Sequence, residues 1–297
     1  MRILMAGASG FLGTALRTHL TAEGHEVTQL VRSATTAPDQ DRWDPVHHRL
    51  DPDAVAACDV VINLAGAPIA HWPVTSAYKA TILDSRLSTT GLIAETIAGL
   101  DDPPALINAS GISFYGDRGD ESLDEDSSPG DTFLAGVAQR WEAATEPARA
   151  AGARVVSLRT AVVLDGEAGA LKLMRLPFRL GAGGRLGSGT QWFPTISLID
   201  YVAAVTRLTT DDTLSGPVNL VAPVPATNAE FTRALGAELG RPTLLPVPAF
   251  VLEILAGDLS SELLGSLKAA PRRLLDAGFT FRQPTIALQL SAALSRS

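Results

Sequence analysis

A glycine-rich turn near the start of the chain constrains the fold more than any other feature. Residues 6–13 read Ala-Gly-Ala-Ser-Gly-Phe-Leu-Gly and follow the apolar run Ile3-Leu4-Met5. Between a first strand and a first helix, Gly7 permits a tight turn, Gly10 lets the backbone approach phosphates, and Gly13 lets the helix lie close to the strand. The helix N-terminus adds free N–H groups and a partial positive charge. We therefore expect residues 7–13 to bind a dinucleotide pyrophosphate; the alternative is a purely structural turn.

The end of the predicted second strand, residues 27–31, distinguishes between the two nicotinamide cofactors. NAD-selective sites carry an Asp or Glu about twenty residues past the glycine motif, where it binds the ribose hydroxyls. Arg32 and Ser33 follow the strand here, with no acidic residue beside them. A guanidinium can bind a 2′-phosphate through two hydrogen bonds, so we expect NADP, with NAD the less favoured cofactor. The alternative is an ordinary exposed arginine at a strand end.

The composition argues against several functional classes. The chain has 297 residues, a net charge of −8 and no basic block, so nucleic acid and anionic membranes are not expected partners. Its single cysteine, Cys58, excludes an internal disulfide and suits a reducing cytoplasm. The longest apolar stretches are interrupted by polar residues and prolines, and the histidines lack metal-ligand spacing. We expect a cytoplasmic protein, a monomer or homodimer, that takes a small-molecule substrate and holds no metal.

Strand-like and helical segments alternate over the first 165 residues. Strands are predicted at 2–5, 27–31, 60–64, 105–109 and 155–158, and helices at 14–23, 77–98 and 133–151. This alternation predicts an α/β fold, a Rossmann-type doubly wound parallel sheet that binds ligands at the carboxyl ends of its strands. We expect an NADP-binding domain over 1–165 plus about 198–225. A smaller, mainly helical substrate-side domain is expected over 166–197 plus 226–297.

Two predicted strand ends carry the other candidate residues. Ala65 and Gly66 follow the strand at 60–64, and small residues there would let a cofactor pass close to the backbone. Ser110, Ser113 and Tyr115 follow the strand at 105–109 and are weak candidates for catalysis. The acidic run over 117–126 is expected to be a solvated loop, with a general base inside it as the alternative.

These motifs together resemble the extended short-chain dehydrogenase/reductases. Within that family the chain is similar to the atypical group of NAD(P)-dependent epimerases/dehydratases, which is also labelled cell-division-inhibitor-like. The part from about residue 226 resembles that group's C-terminal domain of unknown function. The resemblance covers nearly the whole chain and rests on residues 7–13, 63–66, 84–86, 115–116, 141–143, 159–164, 177–181, 187–191, 228–231 and 278–279.

The resemblance implies a path for the cofactor along the strand ends. The pyrophosphate would lie on the glycine turn, the adenosine phosphate at the end of the second strand, and the nicotinamide beyond residue 109. Arg86 would reach the cofactor; an ion pair with Asp84 on the helix surface is the alternative. The implied cofactor-binding residues are Gly7, Ser9, Gly10, Phe11, Leu12, Gly13, Val31, Arg32, Ser33, Leu64, Ala65, Gly66, Arg86, Ala109, Ser110, Thr160 and Val163.

The catalytic pattern of the resembled family is missing. That family uses a Ser or Thr with a Tyr-x-x-x-Lys pair, in which the lysine lowers the tyrosine pKa. The equivalent helix here offers Phe133/Val137 or Leu134/Ala138, and no tyrosine of the chain has a lysine four residues later.

Three functions therefore stay open. The first is an NADP-dependent oxidoreductase, such as a nucleotide-sugar epimerase or dehydratase, that uses substitute groups. The second is a catalytically silent NADP-binding regulatory or redox-sensing module. The third is an interaction protein.

Overall fold

A seven-stranded parallel sheet forms the centre of the computed structural model, which describes residues 1–69, 75–243, 246–247 and 264–295. From one edge to the other, its strands are β3 (Gln40–Arg42), β2 (Glu26–Val31), β1 (Arg2–Ala6), β4 (Val60–Asn63), β5 (Ala105–Gly111), β7 (Val155–Thr160) and β10 (Gly216–Leu220). All neighbouring strands are parallel. The strand order reverses between β1 and β4, where a doubly wound sheet binds its ligand.

Helices cover both faces of the sheet, which explains why its central strands β1 and β4 are almost continuously apolar. Ile3 and Met5 of β1 pack with Leu16 of α1 (Phe11–Ala22), whereas Leu4 packs on the opposite face with Ile93 of α3 (Ser76–Ala98). α7 (Leu198–Thr210) shares the face of α1, and α2 (Pro52–Ala56) and α5 (Glu146–Ala150) share that of α3. α4 (Phe133–Ala143) packs against α3 and a 3₁₀ turn at Ile112–Tyr115.

A smaller body lies beyond the carboxyl edge of the sheet. It contains two short parallel pairs, β8 (Val162–Leu164) with β9 (Thr195–Ser197) and β6 (Ser122–Leu123) with β11 (Lys268–Ala269). Its helices are α6 (Gly169–Arg179), α8 (Asn228–Glu238), α9 (Arg272–Asp276) and α10 (Ile286–Leu294). Phe178, Phe231 and Leu290 form a separate core between α6, α8 and α10. Part of the predicted C-terminal region lies outside the described residues.

The predicted fold class is confirmed, with two local differences. β3 was not predicted because its sequence, Gln-Asp-Arg, has no apolar alternation. The single helix predicted over 133–151 is two helices, α4 and α5. Pro147 lies in the first turn of α5, where its missing N–H costs nothing, whereas in the middle of one long helix it would break the hydrogen-bond ladder.

The acidic run is largely exposed, as the sequence predicts, but several of its carboxylates also have partners that are distant in sequence. Asp124 and Asp126 pair with Arg272 at 2.8 and 3.3 Å, and Asp120 accepts a hydrogen bond from the Trp192 indole at 2.9 Å. The Ser266 N–H donates to Asp117 at 3.0 Å. These exposed carboxylates therefore also link residues 266–273 to the rest of the fold.

Neither a membrane-spanning helix nor a metal site occurs within the described ranges. No helix there is both long and apolar enough to cross a bilayer. The same ranges contain no group of three or more His, Cys, Asp or Glu side chains arranged to hold a metal ion.

Candidate functional site

The first turn of α1 differs from the starts of the neighbouring helices. α3, α4, α7 and α8 begin at Thr75, Thr132, Ser197 and Thr227, whose side chains accept hydrogen bonds from N–H groups of the first turn. α1 begins at Gly10, which has no side chain for this role. The first N–H groups of α1 therefore face the carboxyl edge of the sheet uncapped, which is the arrangement that binds anions.

Gly7 and Gly13 have the backbone roles expected from the sequence, and Gly10 leaves space beside the turn. Gly7 has a φ of +78°, and a Cβ there would lie 2.7 Å from the Leu64 carbonyl carbon. A Cβ on Gly13 would lie only 2.1 Å from the Gly7 oxygen, so only glycine lets α1 approach β1 this closely. The Cβ position of Gly10 meets nothing nearer than the Gly7 oxygen at 3.4 Å, which leaves that side open for a ligand. The turn thus fits a pyrophosphate.

A buried amide network holds the next turn along the edge. The Asn63 side chain, at the end of β4, donates to Thr90 at 2.9 Å and to Asn108 at 2.8 Å, and it accepts from the Ala65 N–H at 3.1 Å. The Trp141 indole also donates to Thr90, at 2.9 Å. This network fixes residues 63–65 beside the glycine turn. Sequence reasoning did not find it, although two amides within apolar strand sequences, Asn63 and Asn108, were a visible signal.

Arg86 is a buried cation beneath this turn. It is 6% exposed, and its Nη1 donates only to the carbonyls of Ile82 at 2.8 Å and Ala67 at 3.1 Å. Its guanidinium lies 4.7 Å from the Trp141 ring centroid and would be 3.4 Å from a Cβ on Gly66. No carboxylate pairs with it in the described part of the chain, so the alternative of an Asp84 ion pair is not observed. Burial lowers the pKa of Arg86 to about 10.

Two of the candidate hydroxyls belong to one buried hydrogen-bond chain. Ser110 donates to Glu142 at 2.7 Å, and Arg159 donates to both oxygens of Glu142 at 2.9 Å. Arg159 also donates to the Tyr115 hydroxyl at 2.9 Å, and Tyr115 in turn donates to Asn219 at 2.8 Å. Tyr115 is fully buried, and burial raises its pKa to about 12. This geometry gives Tyr115 a packing role and does not favour it as a proton donor near neutral pH.

The third hydroxyl lies in a different environment. Ser113 is partly exposed on the 3₁₀ turn, and its hydroxyl makes no hydrogen bond with the other described residues. A Cβ on Gly111 would lie 2.9 Å from that hydroxyl, so the glycine leaves room for it. The ammonium nitrogen of Lys79, on α3, lies 5.1 Å from the ring centroid of Phe133 in the first turn of α4. This is the helix in which the sequence lacks the tyrosine–lysine pair.

The remaining predicted cofactor residues line the same edge of the sheet. Arg32 and Ser33 are exposed directly after β2, and Arg32 makes no ion pair with any described carboxylate. Val163 is buried in β8. Partly buried positions at or just beyond the strand ends are Val31, Leu64, Ala65, Ala109 and Thr160.

Residues 3–220 match the family model described as the NAD dependent epimerase/dehydratase family. The chain belongs to this family. Residues 247–293 match a further model, a domain of unknown function designated DUF1731. The chain is 41% identical over 295 residues to an epimerase family protein of Mycobacterium tuberculosis, with 99% of this chain and 98% of the relative covered. It is 39% identical over 303 residues to human epimerase family protein SDR39U1, with 99% and 98% covered.

Solved structures have the same architecture. Human SDR39U1 (isoform 2), crystallised with NADPH, superposes with a TM-score of 0.87 at 35% identity and covers 100% of both chains. A nucleoside-diphosphate sugar epimerase from Corynebacterium glutamicum gives 0.81 at 36% identity, covering 98% of this chain and 58% of the other. A UDP-glucose 4-epimerase from Thermus thermophilus, at 19% identity and a TM-score of 0.72, shares the fold.

Proposed function

We propose that this protein binds NADP(H) along the carboxyl edge of its sheet. The observation that carries the proposal is the first turn of α1, which has uncapped N–H groups, an open side at Gly10, and two glycines that admit no Cβ. A helix start built in this way suits a pyrophosphate. The NADPH in the structure of human SDR39U1, a relative that matches the whole chain, supports the same ligand.

Three further groups would hold the cofactor. Arg32 and Ser33, exposed beyond β2, would bind the 2′-phosphate, and Arg86 beneath Gly66 would supply a second positive charge. When bound, NADP⁺ would accept a hydride and NADPH would donate one. The chain would supply the oriented backbone of residues 63–66 and a dry floor of buried side chains, because electrostatic contacts strengthen where water is excluded.

The reaction that we propose is an oxidation–reduction on a small molecule such as a nucleotide sugar, as in an epimerase, dehydratase or reductase. Membership of the epimerase/dehydratase family supports this class. Ser113 is our candidate for the hydroxyl nearest the substrate, because it is partly exposed and its side chain is not part of the buried network. Without a Tyr-x-x-x-Lys pair, turnover would be slow or restricted to an unusual substrate.

A second function is favoured by one specific observation. The hydroxyls of Ser110 and Tyr115 are both committed to the Glu142–Arg159 network, so neither presents a free proton to the cleft. A protein that binds NADP without turning it over, as a regulatory or redox-sensing module, fits this arrangement.

Cofactor titration tests the binding proposal. NADPH and NADH are titrated by fluorescence into wild type, Arg32→Ala and Gly10→Val. NADPH should bind more tightly than NADH, and Arg32→Ala should lose about 1.5–3 kcal/mol of NADPH affinity, the value of one charge-assisted contact. Gly10→Val should fold and lose binding, because its side chain fills the open side of the turn. Equal affinities for the two cofactors in wild type, or full NADPH binding by a folded Gly10→Val, would refute the assignment.

A turnover screen distinguishes the two proposed functions. Ketones, aldehydes and nucleotide sugars are tested with NADPH against wild type and Ser113→Ala. Turnover that falls in Ser113→Ala while NADPH affinity stays constant supports the enzyme. Tight NADPH binding with no turnover of any of these substrates supports the silent module.

A further inference from the structure

The outer face of α6 presents an apolar stripe to solvent. Leu173, Leu176 and Leu180 recur at helical spacing and remain 62%, 58% and 77% exposed. The opposite face of the helix is the one that packs inward, through Leu171 and Phe178. The other large apolar residues that are exposed in the described chain are scattered along it, and single ones are normal for a soluble surface. The packing of the fold does not explain why three exposed leucines lie on one face of α6.

Basic side chains flank this stripe. Lys172 and Arg179 are seven residues apart, which places them on the same side of the helix, and both are exposed. Neither makes an ion pair with a described carboxylate. Glu167, the acidic residue nearest to α6 in sequence, is already paired with Arg175 at 2.9 Å. Arg185, in the loop after α6, adds another exposed cation.

The positive charge of Lys172 and Arg179 limits which partners could cover the leucine stripe. Pairing α6 antiparallel with a second copy of itself would bring Lys172 of one chain near Arg179 of the other, and like charges at that contact are unfavourable. An anionic lipid surface offers hydrocarbon to the leucines and negative charge to the cations. A helix with an apolar stripe beside Lys and Arg is the pattern that lies in the membrane interface. The net charge of −8, from which no anionic-membrane partner is expected, acts weakly at this local surface, because charges more than about 8 Å away are screened at physiological salt.

We propose that α6 is a peripheral docking surface for anionic lipid bilayers. Leu173, Leu176 and Leu180 would enter the boundary between headgroups and acyl chains, while Lys172 and Arg179 would contact the headgroups. This surface uses no residue of the proposed cofactor cleft. It would therefore hold the protein on a membrane whether or not the protein catalyses a reaction.

Vesicle co-sedimentation tests the proposal with the full-length chain. Vesicles of phosphatidylcholine alone are compared with vesicles that also contain phosphatidylglycerol. Wild type should sediment with the second kind and be released by raised salt. The triple variant Leu173→Gln/Leu176→Gln/Leu180→Gln should lose at least about tenfold in vesicle affinity, since each exposed leucine contributes apolar burial. The double variant Lys172→Gln/Arg179→Gln should lose the preference for phosphatidylglycerol.

A matched variant controls for the general loss of surface leucines. Leu275→Gln/Leu288→Gln changes two leucines that are 46% and 49% exposed on α9 and α10, and it should sediment like wild type. Circular dichroism and NADPH titration of every variant establish that the fold is retained. The double variant and the salt dependence decide the question if the triple variant does not fold.

Three outcomes would overturn the proposal. The first is wild type that sediments with neither kind of vesicle. The second is a folded triple variant that still binds phosphatidylglycerol vesicles as wild type does. The third is a wild-type dimer, seen by light scattering, that the triple variant converts to a monomer, which would make the stripe an interface between two copies.

Discussion

Replacing Arg86 by methionine should weaken NADPH binding and leave the folded state nearly as stable as before. Burial lowers the pKa of Arg86 to about 10, well below the ordinary value of an arginine, and at about 1.4 kcal/mol per pKa unit the buried charge costs the free protein about 3 kcal/mol. Methionine removes that cost. It also removes two hydrogen bonds to backbone carbonyls and a contact with the Trp141 ring, each worth about 1 kcal/mol. The two sums nearly cancel, so the unfolding free energy should change by no more than about 1 kcal/mol.

The affinity of Arg86→Met for NADPH should fall, in contrast to its stability. If the guanidinium beneath Gly66 binds an anionic part of NADPH, its loss removes a charge-assisted contact worth about 1.5–3 kcal/mol, or about 10- to 150-fold in Kd. Urea unfolding and fluorescence titration of the same preparations measure the two quantities separately. Lost NADPH affinity at unchanged unfolding free energy is the combination expected of a residue whose main role is ligand binding.

Arg154→Met is the matched control. Arg154 is also partly buried, its pKa is lowered mainly by burial, and its Nη1 also donates to two carbonyls, those of Leu208 and Leu214 at 3.1 Å. It precedes β7, at the amino edge of the sheet. We expect NADPH affinity to be unchanged in this variant. If Arg86→Met binds NADPH as tightly as wild type, or loses several kcal/mol of stability, Arg86 is a structural residue and the reasoning is wrong.

Three other predictions follow from the structure. Tyr115→Phe should cost about 1–3 kcal/mol in urea unfolding, because Arg159 and Asn219 lose a buried partner, with no change in the pH profile of NADPH binding. Gly13→Ala should lose both stability and NADPH binding, since its Cβ would lie 2.1 Å from the Gly7 oxygen. Glu125 is 4% exposed, and burial raises its pKa. Its carboxyl holds protons more tightly when folded, so its contribution to stability falls as pH rises above the unfolded value of about 4.5. Glu125→Gln should flatten that part of a curve of Tm against pH.

The glycine turn and the sheet were predictable because the chemistry is local. A strand, three glycines and a helix lie within residues 2–22. The atoms nearest to each glycine belong to the turn itself or to residues just after the adjacent strand β4. Apolar runs likewise predicted the buried strands, since both faces of a parallel sheet are covered. β3 could not be predicted from its own residues, because its position depends on its pairing with β2.

The polar interior could not be predicted because its partners are distant in sequence. Glu142 lies 32 residues from Ser110, and Asn219 lies 104 residues from Tyr115, so no spacing rule joins them. The acidic run illustrates the same limit. Asp124 pairs with Arg272, 148 residues away, and composition alone gives no sign of that partner. The charge pattern of the run indicates its exposure but does not identify the distant cation with which it pairs.

The buried hydrogen-bond chain from Ser110 to Asn219 also explains why the central sheet and the C-terminal region form one structure. Asn219 of β10 receives the Tyr115 hydroxyl, and its amide donates to the Ala270 carbonyl at 2.9 Å. Glu125 accepts the N–H groups of Asn219 and Arg273 at 3.0 and 3.3 Å. Each of these buried polar groups would be costly if left unpaired. Displacing residues 270–273 would therefore unpair groups that reach back, bond by bond, to Ser110 at the proposed cofactor cleft.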